Sequence, residues 1–373
     1  MEVLLLGGTG TLSTDIMLLS LQKGHSVYIL NRGNSNQNVP QHVKILKADI
    51  KNSDSVISAI ESLHFDVVVD FLSRTSNDLE HTYIIFKDIC KQYIFISTAC
   101  VYKREEDQII AENSEMPNIN WSYNIEKFEC EQKLKELASK HIYTIVRPYI
   151  TYDRKRIPYG ITPADYQQGW TIIGRFLAHK PMFIWNDGNN TCTLTSAKDF
   201  AEGVVGLFMN PKAKNESFHI TSNEVLTWNE VLHTLKDVLN SKSEIIHIPV
   251  KEIIKDFPEY KGMLLGDRTL NAHFSNKKIR EAVPSFNPTS KLKDEITCII
   301  QNYRDNRYFK GIDYVWDAKV DRLISRYYPN NTKFVDYLQM HSRRDYTIYL
   351  LHRYLCKDKI SQLARNIHKL LIK

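Results

Sequence analysis

The run Leu4-Leu5-Leu6-Gly7-Gly8-Thr9-Gly10-Thr11-Leu12-Ser13 decides how the rest of the chain is read. It starts on an apolar strand pattern, Val3 to Leu6, and passes through three glycines into an apolar-periodic helix that reaches about Gln22. Glycines at such a junction leave backbone N–H groups open where a Cβ would cover them. The helix N-terminus adds its partial positive charge. A diphosphate anion fits that arrangement. A plain tight turn is the competing reading of the glycines alone, and Ser13 stands where another glycine is usual.

Working outward, strand patterns at Ser26–Leu30, Val43–Leu46, Asp66–Phe71, Tyr93–Ser97 and Tyr143–Val146 alternate with helical patterns at Ser53–Leu63, Asn77–Cys90 and Trp121–Ala138. Apolar strands alternating with helices predict an α/β fold, a Rossmann-type doubly wound parallel sheet covered on both faces. After Pro148 the texture changes to a loop rich in Pro, Gly and Tyr, then to shorter elements. The expected organisation is a dinucleotide-binding domain over 1–160 and a smaller α/β substrate-binding region over 161–303, interleaved with the end of the sheet. A basic helical C-terminal extension follows over 304–373.

Bulk properties narrow the class. The chain has 373 residues, 43% hydrophobic and 25% charged, the texture of a soluble globular protein of about two domains. No apolar run approaches the roughly 20 residues that cross a bilayer, and Met1 to Leu6 carries no export pattern, so a cytoplasmic location is expected. Six cysteines, Cys90, Cys100, Cys130, Cys192, Cys298 and Cys356, are scattered without metal-ligand or disulfide spacing and read as reduced thiols. From Arg307 onward 14 Lys and Arg face 6 Asp, a balance of +8 within a net charge of +6, which leaves −2 on the first 306 residues. The body is close to neutral and the positive charge sits in the tail, so the overall basicity, pI about 8.8, is poor evidence for a nucleic-acid partner and none is expected. No two of the 13 histidines stand four apart, and no metal site is expected.

At the end of the second strand pattern, Asn31-Arg32 stands where a site selective for NAD has an acidic residue against the ribose 2′-OH. A guanidinium there matches a 2′-phosphate, which favours NADP over NAD. Arg32 covering the adenine face is the alternative. Asp49, followed by Ile50, sits where a short acid reaches the adenine amino group or caps a turn. Further on, Tyr123 and Lys127 are four apart on one helical pattern and face the same side. A tyrosine acts as a base near neutral pH only if its pKa is lowered, and an ammonium one turn away does that. Thr98, closing a strand pattern, is placed to bond the reacting oxygen.

These pieces resemble an extended short-chain dehydrogenase/reductase, the NAD-dependent epimerase/dehydratase family that includes UDP-galactose 4-epimerase. The resemblance rests on Gly7-Gly8-Thr9-Gly10, Asp49, Ser97-Thr98-Ala99-Cys100-Val101-Tyr102, Tyr123-Asn124-Ile125-Glu126-Lys127 and Val146-Arg147-Pro148. Asp187-Gly188, Ala197-Lys198-Asp199, Gly266-Asp267 and Ser275–Lys278 extend it to about residue 303. It implies Tyr123 as acid/base, Lys127 as ribose ligand and tuner of Tyr123, and Thr98 as supporting hydroxyl. It also implies that Gly7, Thr9, Gly10, Thr11, Leu12, Phe71, Leu72, Ser73 and Pro148 line the cofactor. Departures bear on the substrate. Ala99 and Cys100 replace the Asp-Glu pair of the sugar dehydratases, so dehydration by that mechanism is not expected. Cys192 replaces an arginine that often neutralises a diphosphate, with Arg268 or Lys261 as substitutes.

Tyr149, Tyr152, Tyr159, Tyr166 and Trp170 are read either as a sugar-stacking set or as packing of a long loop. Ile360, Leu363, Ile367, Leu370 and Leu371 form an apolar helical stripe opposite Arg365 and Lys369. It is expected to dock on the body or on a second copy in a homodimer, with peripheral membrane contact as the alternative. The leading functional expectation is an NAD(P)-dependent epimerase acting on a sugar, a nucleotide-sugar by resemblance, through a transient keto intermediate. An NADPH-dependent keto-sugar reductase is the alternative. A non-catalytic NADP-binding scaffold, its function carried by the tail, is the reading from another class.

Overall fold

The computed structural model describes residues 1–105, 108–163, 165, 168–306, 311–327 and 342–355. Tyr166 and the apolar stripe from Ile360 to Leu371 lie outside the described residues.

Seven parallel strands form the central sheet: β1 (Glu2–Leu6), β2 (Ser26–Asn31), β3 (Lys44–Lys47), β4 (Phe65–Asp70), β5 (Cys90–Ile96), β6 (Ile142–Pro148) and β7 (Glu216–Ile220). Their order is β3-β2-β1-β4-β5-β6-β7, so the strand direction of travel reverses between β1 and β4. In register, Leu4 lies between Tyr28 and Val68, and Val68 in turn opposes Tyr93. Successive side chains point to opposite faces. Val3, Leu5, Val27, Ile29, Val67, Val69 and Ile94 therefore meet Ile16 and Met17 of helix α1 (Thr11–Gln22), together with Phe200 and Val204 of the helix Ala197–Gly206. Leu4, Leu6, Leu30, Val68, Tyr93 and Phe95 meet the opposite layer: α2 (Ser53–Ile60), α3 (Ser76–Phe86) and α4 (Ser122–Leu137), through Val56, Leu79, Phe86 and Leu134. Both faces are covered, which is why these strands are continuous apolar runs. Ligands of such sheets bind beyond the carboxyl ends of the strands at the reversal point.

The chain falls into two compact units that interleave along the sequence. The first holds Met1–Asp153, Thr191–Leu226 and Leu265–Lys291; the second holds Arg154–Asn190, Thr227–Leu264 and Leu292–Lys373. Inside the loop expected after Pro148, Ile150–Tyr152 forms a strand paired in parallel with Thr191–Ser196. The β-branched Ile150 and Thr151 suit that conformation.

In the second unit Met182–Trp185 pairs in parallel with Ile245–Ile248, and Trp185 meets the edge of Trp228 at 4.8 Å between ring centroids. The helix Trp228–Val238 starts on a reciprocal cap between Thr227 and Glu230. The helix Tyr314–Ser325, at the start of the basic extension, is fastened by a fully buried ion cluster. Lys180 lies 2.9 Å from Asp317 and 2.6 Å from Asp321, Arg175 pairs with both carboxylates, and the Tyr349 hydroxyl donates to Asp321 at 2.5 Å. Among the described residues no helix is long and apolar enough to cross a membrane.

Candidate active site

The turn after β1 carries positive φ at Gly7 (+113°) and Gly8 (+83°). A Cβ on Gly8 would stand 2.5 Å from Ile29 Cγ2, so only glycine lets the turn lie against β2. Ser13 is buried, and its hydroxyl accepts the Gly10 N–H at 2.9 Å. The residue standing for a third glycine thus holds the turn's last amide, while the first-turn N–H groups of Thr11 and Leu12 remain for an anion. No acidic residue occupies the first turn of α1.

Beyond this turn lies a cavity of about 660 Å³, in the range of cofactor sites. Gly7, Thr9, Asn31, Arg32, Asp49, Ile50, Leu72 and Ser73 all line it, whereas Gly10, Thr11, Leu12, Tyr123 and Lys127, also expected at the cofactor, do not. Phe71 flanks them, and Pro148 ends β6. Asn31 is committed to the fold at both ends of its amide. Its Nδ2 donates to the Gly7 carbonyl at 3.3 Å and to Asn36 at 2.8 Å, and its Oδ1 accepts the Gly33 N–H at 2.7 Å. Arg32 is exposed at the cavity rim, joined there by Lys51 and Arg74. Asp49 lines the wall and caps its own turn, Oδ1 accepting the Lys51 N–H at 3.1 Å. His81, which sequence reading passed over, ties α3 to this wall through the Ile50 carbonyl at 3.0 Å.

At the carboxyl end of β5, Thr98 is buried; its Oγ1 accepts the Cys100 N–H at 3.2 Å, and its side chain also bonds the Cys100 thiol. On α4, Tyr123 is half-buried with its ring 4.8 Å from that of Trp121. One turn on, Lys127 is buried. Its Nζ donates to the carbonyls of Ser73 (2.7 Å) and Ile96 (3.0 Å) and lies 4.7 Å from the Phe95 ring centre. Burial lowers its pKa, and Asp70 opposes that shift. An ammonium has three donors, and two are spent on backbone.

The scaffold behind these groups was not visible in local patterns. Glu131, on α4, accepts from Ser97 at 2.6 Å and from Arg147 Nε at 2.8 Å; Arg147 reaches the Tyr102 hydroxyl at 2.7 Å, and that hydroxyl meets His219 at 3.2 Å. These partners are separated by up to 117 residues, and only the aligned sheet brings them together.

Of the residues expected to touch substrate, Tyr149 and Arg268 converge on Asp267, the tyrosine hydroxyl donating to it at 3.1 Å and the guanidinium pairing with it. Arg104 joins them, 3.0 Å from Asp267 and flanked by the rings of Tyr149 and Phe274. Cys192 lies close enough to Arg268 for the two to interact electrostatically. Tyr152 is buried in the first unit, and Trp170 in the second, beside Tyr303. Cys100 is buried with its thiol pushed up to about 12 by desolvation. Among the described residues no three His, Cys, Asp or Glu side chains group as metal ligands do.

Comparison with known proteins agrees with this fold. The family model for the NAD dependent epimerase/dehydratase family matches residues 3–221. The chain is 26% identical over 308 residues to the chloroplast stem-loop binding protein of 41 kDa b of Arabidopsis thaliana, covering 79% of this chain and 78% of that protein. Among solved structures, UDP-glucose 4-epimerase of Thermotoga maritima with UDP-glucose superposes with a TM-score of 0.66 at 16% identity, covering 82% of this chain and 100% of that one. UDP-glucuronic acid 4-epimerase of Bacillus cereus, in complex with UDP-glucuronic acid and NAD, gives 0.65 at 17% identity, over 82% and 99%.

Proposed function

Because the chain belongs to the NAD dependent epimerase/dehydratase family, we propose that it is a nicotinamide-dependent epimerase of a nucleotide-sugar, with Tyr123 as its acid/base. The observation that carries this reading is Lys127, buried one turn from Tyr123 and held by the carbonyls of Ile96 and of Ser73, the latter a lining residue of the cavity that the glycine turn opens. Binding alone needs no such ammonium. The cradle at Gly7 and Gly8, the amides of Thr11 and Leu12 and the cavity fit a dinucleotide. A nicotinamide bound there supplies reversible hydride transfer. Tyr123 takes the proton of the sugar hydroxyl as that carbon becomes a ketone, and returns it after the ring has turned over. Thr98 donates to the same oxygen, and Lys127 holds the ribose and keeps the phenolate accessible. Arg268 and Arg104 share the single carboxylate of Asp267, and the positive charge left over on this pair supports their facing the anionic part of the substrate.

A preference for NADP over NAD is supported by Asn31, whose amide is consumed by the fold, and by Arg32 at the rim. That preference keeps a keto-sugar reductase, with Tyr123 donating the proton, as the second reading. Mass spectrometry of nucleotides released from the denatured protein separates the two. An epimerase recycles its cofactor and retains it, whereas a reductase exchanges it and purifies nearly empty.

The relative named for stem-loop binding gives the scaffold reading a ligand class, since a tail with a balance of +8 suits a polyanion. Salt-sensitive retention of an RNA hairpin, lost on deleting the tail, together with full indifference to Tyr123→Phe, favours that reading over catalysis.

A further inference from the structure

We propose that Asp70 is a positioning residue for Lys127: through Ser73 this buried carboxylate aims the ammonium, and it supplies the negative charge that keeps it protonated. The inference rests on the Tyr123–Lys127 reading of the site.

β4 runs Val67, Val68, Val69 through the core and then ends on a carboxylate that is itself fully buried. An acid in such a place is unfavourable unless its oxygens are satisfied. Oδ1 of Asp70 accepts the N–H groups of Leu72 (2.8 Å) and Ser73 (3.1 Å), while Oδ2 accepts the hydroxyls of Ser73 (2.5 Å) and Tyr93 (2.8 Å). Among the described residues none of these four donors is a cation. The matching positive charge is one residue away. Ser73 holds Asp70 with its N–H and its hydroxyl, and receives Lys127 on its carbonyl at 2.7 Å. One residue therefore sets the position of both charges.

The groups facing Lys127 are Asp70 from β4, Arg74 from the loop after it, and Cys130 and Glu131 from α4 itself. Asp70 is the largest influence in favour of the charged lysine. The Cys130 thiol is pushed up to about 12 by burial and is neutral, and Glu131 is already neutralised by Arg147. That leaves Asp70 as the counter-charge for an ammonium whose burial works against it.

The test uses the full chain labelled with carbon-13 at lysine Cε, with the Lys127 signal assigned by its loss in Lys127→Met. Asp70→Asn keeps the shape and lets Oδ1 go on accepting the Leu72 and Ser73 amides, so the loop is retained while the charge is removed. We expect Lys127 to titrate at lower pH in Asp70→Asn than in the wild type. Thermal unfolding of the single and double variants supplies the second measurement. The double variant Asp70→Asn/Lys127→Met should be at least as stable as Asp70→Asn, because the stranded ammonium is gone, and it should fold even if Asp70→Asn does not. An unchanged Lys127 titration, or stability losses that simply add, overturns the proposal. Neither result touches the assignment of Tyr123, which turnover of Tyr123→Phe decides separately.

Discussion

Asn31 at the end of β2 donates its amide to the carbonyl of Gly7 at 3.3 Å, tying the second strand to the glycine turn at the mouth of the cavity. A carboxylate at position 31 has no proton to give that carbonyl. The neutral residue therefore suits the local fold, and we propose that recognition of the adenosine ribose passes to Arg32, which lines the same cavity. A charge-assisted bond between a guanidinium and a 2′-phosphate contributes on the order of 1.5–3 kcal/mol. Arg32→Ala should weaken NADP(H) by at least about tenfold and leave NAD(H) nearly unchanged. Calorimetric titration with both cofactors reads this, and a wild type that prefers NAD ends the idea.

The turn itself can be broken at one atom. Alanine at Gly8 needs φ near +83° and puts its Cβ 2.5 Å from Ile29 Cγ2. Backbone strain and overpacking together should cost about 2–4 kcal/mol and abolish dinucleotide binding. Urea unfolding of Gly8→Ala measures the loss; an unaltered midpoint would show that the turn relaxes freely.

How much of this was legible in the sequence depended on how far apart the partners lie. The glycine turn, Asn31–Arg32, Thr98 and the Tyr123/Lys127 pair each sit inside a single strand–helix junction or helical turn, where spacing alone carries geometry. Asp70 read as the tail of an apolar strand, and nothing local announced that Ser73 would hand it to Lys127. The same holds for Glu131 with Arg147, 16 residues apart, and for Arg175 with Asp317, 142 apart. Tyr149 and Tyr152 have the composition of a sugar-stacking pair, yet burial of both and the bond from Tyr149 to Asp267 come from tertiary packing.

Stability should fall in mild acid, with His219 as one identifiable cause. Burial lowers its pKa from 6.5 to about 4, and it stays neutral between the Tyr102 hydroxyl and the Ser275 carbonyl. Between those two pH values the unfolded chain binds a proton that the folded chain refuses. The folded state therefore loses stability as pH falls from 6.5 towards 4, by up to about 1.4 kcal/mol per pH unit for this one group. Urea titrations across that window should show a shallower pH dependence in His219→Gln; identical slopes would remove His219 from the account.

The C-terminal extension is held by charge inside the second unit. Lys180→Met leaves Asp317 and Asp321 buried with Arg175 alone, a loss that should cost about 3–5 kcal/mol. Deleting the chain from Asn331 removes Tyr349 from Asp321 and the Ile360–Leu371 stripe with it. That truncation should spare NADP(H) binding and change oligomeric state or solubility. Light scattering with a cofactor titration checks both, and an assembly identical to full length would leave the tail without this role.

We propose that Tyr123 moves the substrate proton under the influence of Lys127, whose ammonium is fixed by the Ser73 and Ile96 carbonyls. It is tested most directly by rapid mixing of the cofactor-loaded protein with UDP-glucose and UDP-glucuronic acid, following nicotinamide absorbance in wild type and Tyr123→Phe. Transient reduction is expected in the wild type with at least one of these sugars. In Tyr123→Phe, with its fold and cofactor affinity retained, that reduction should be roughly 100-fold slower or more. Reduction at the wild-type rate in Tyr123→Phe, or none in the wild type with either sugar, would contradict it.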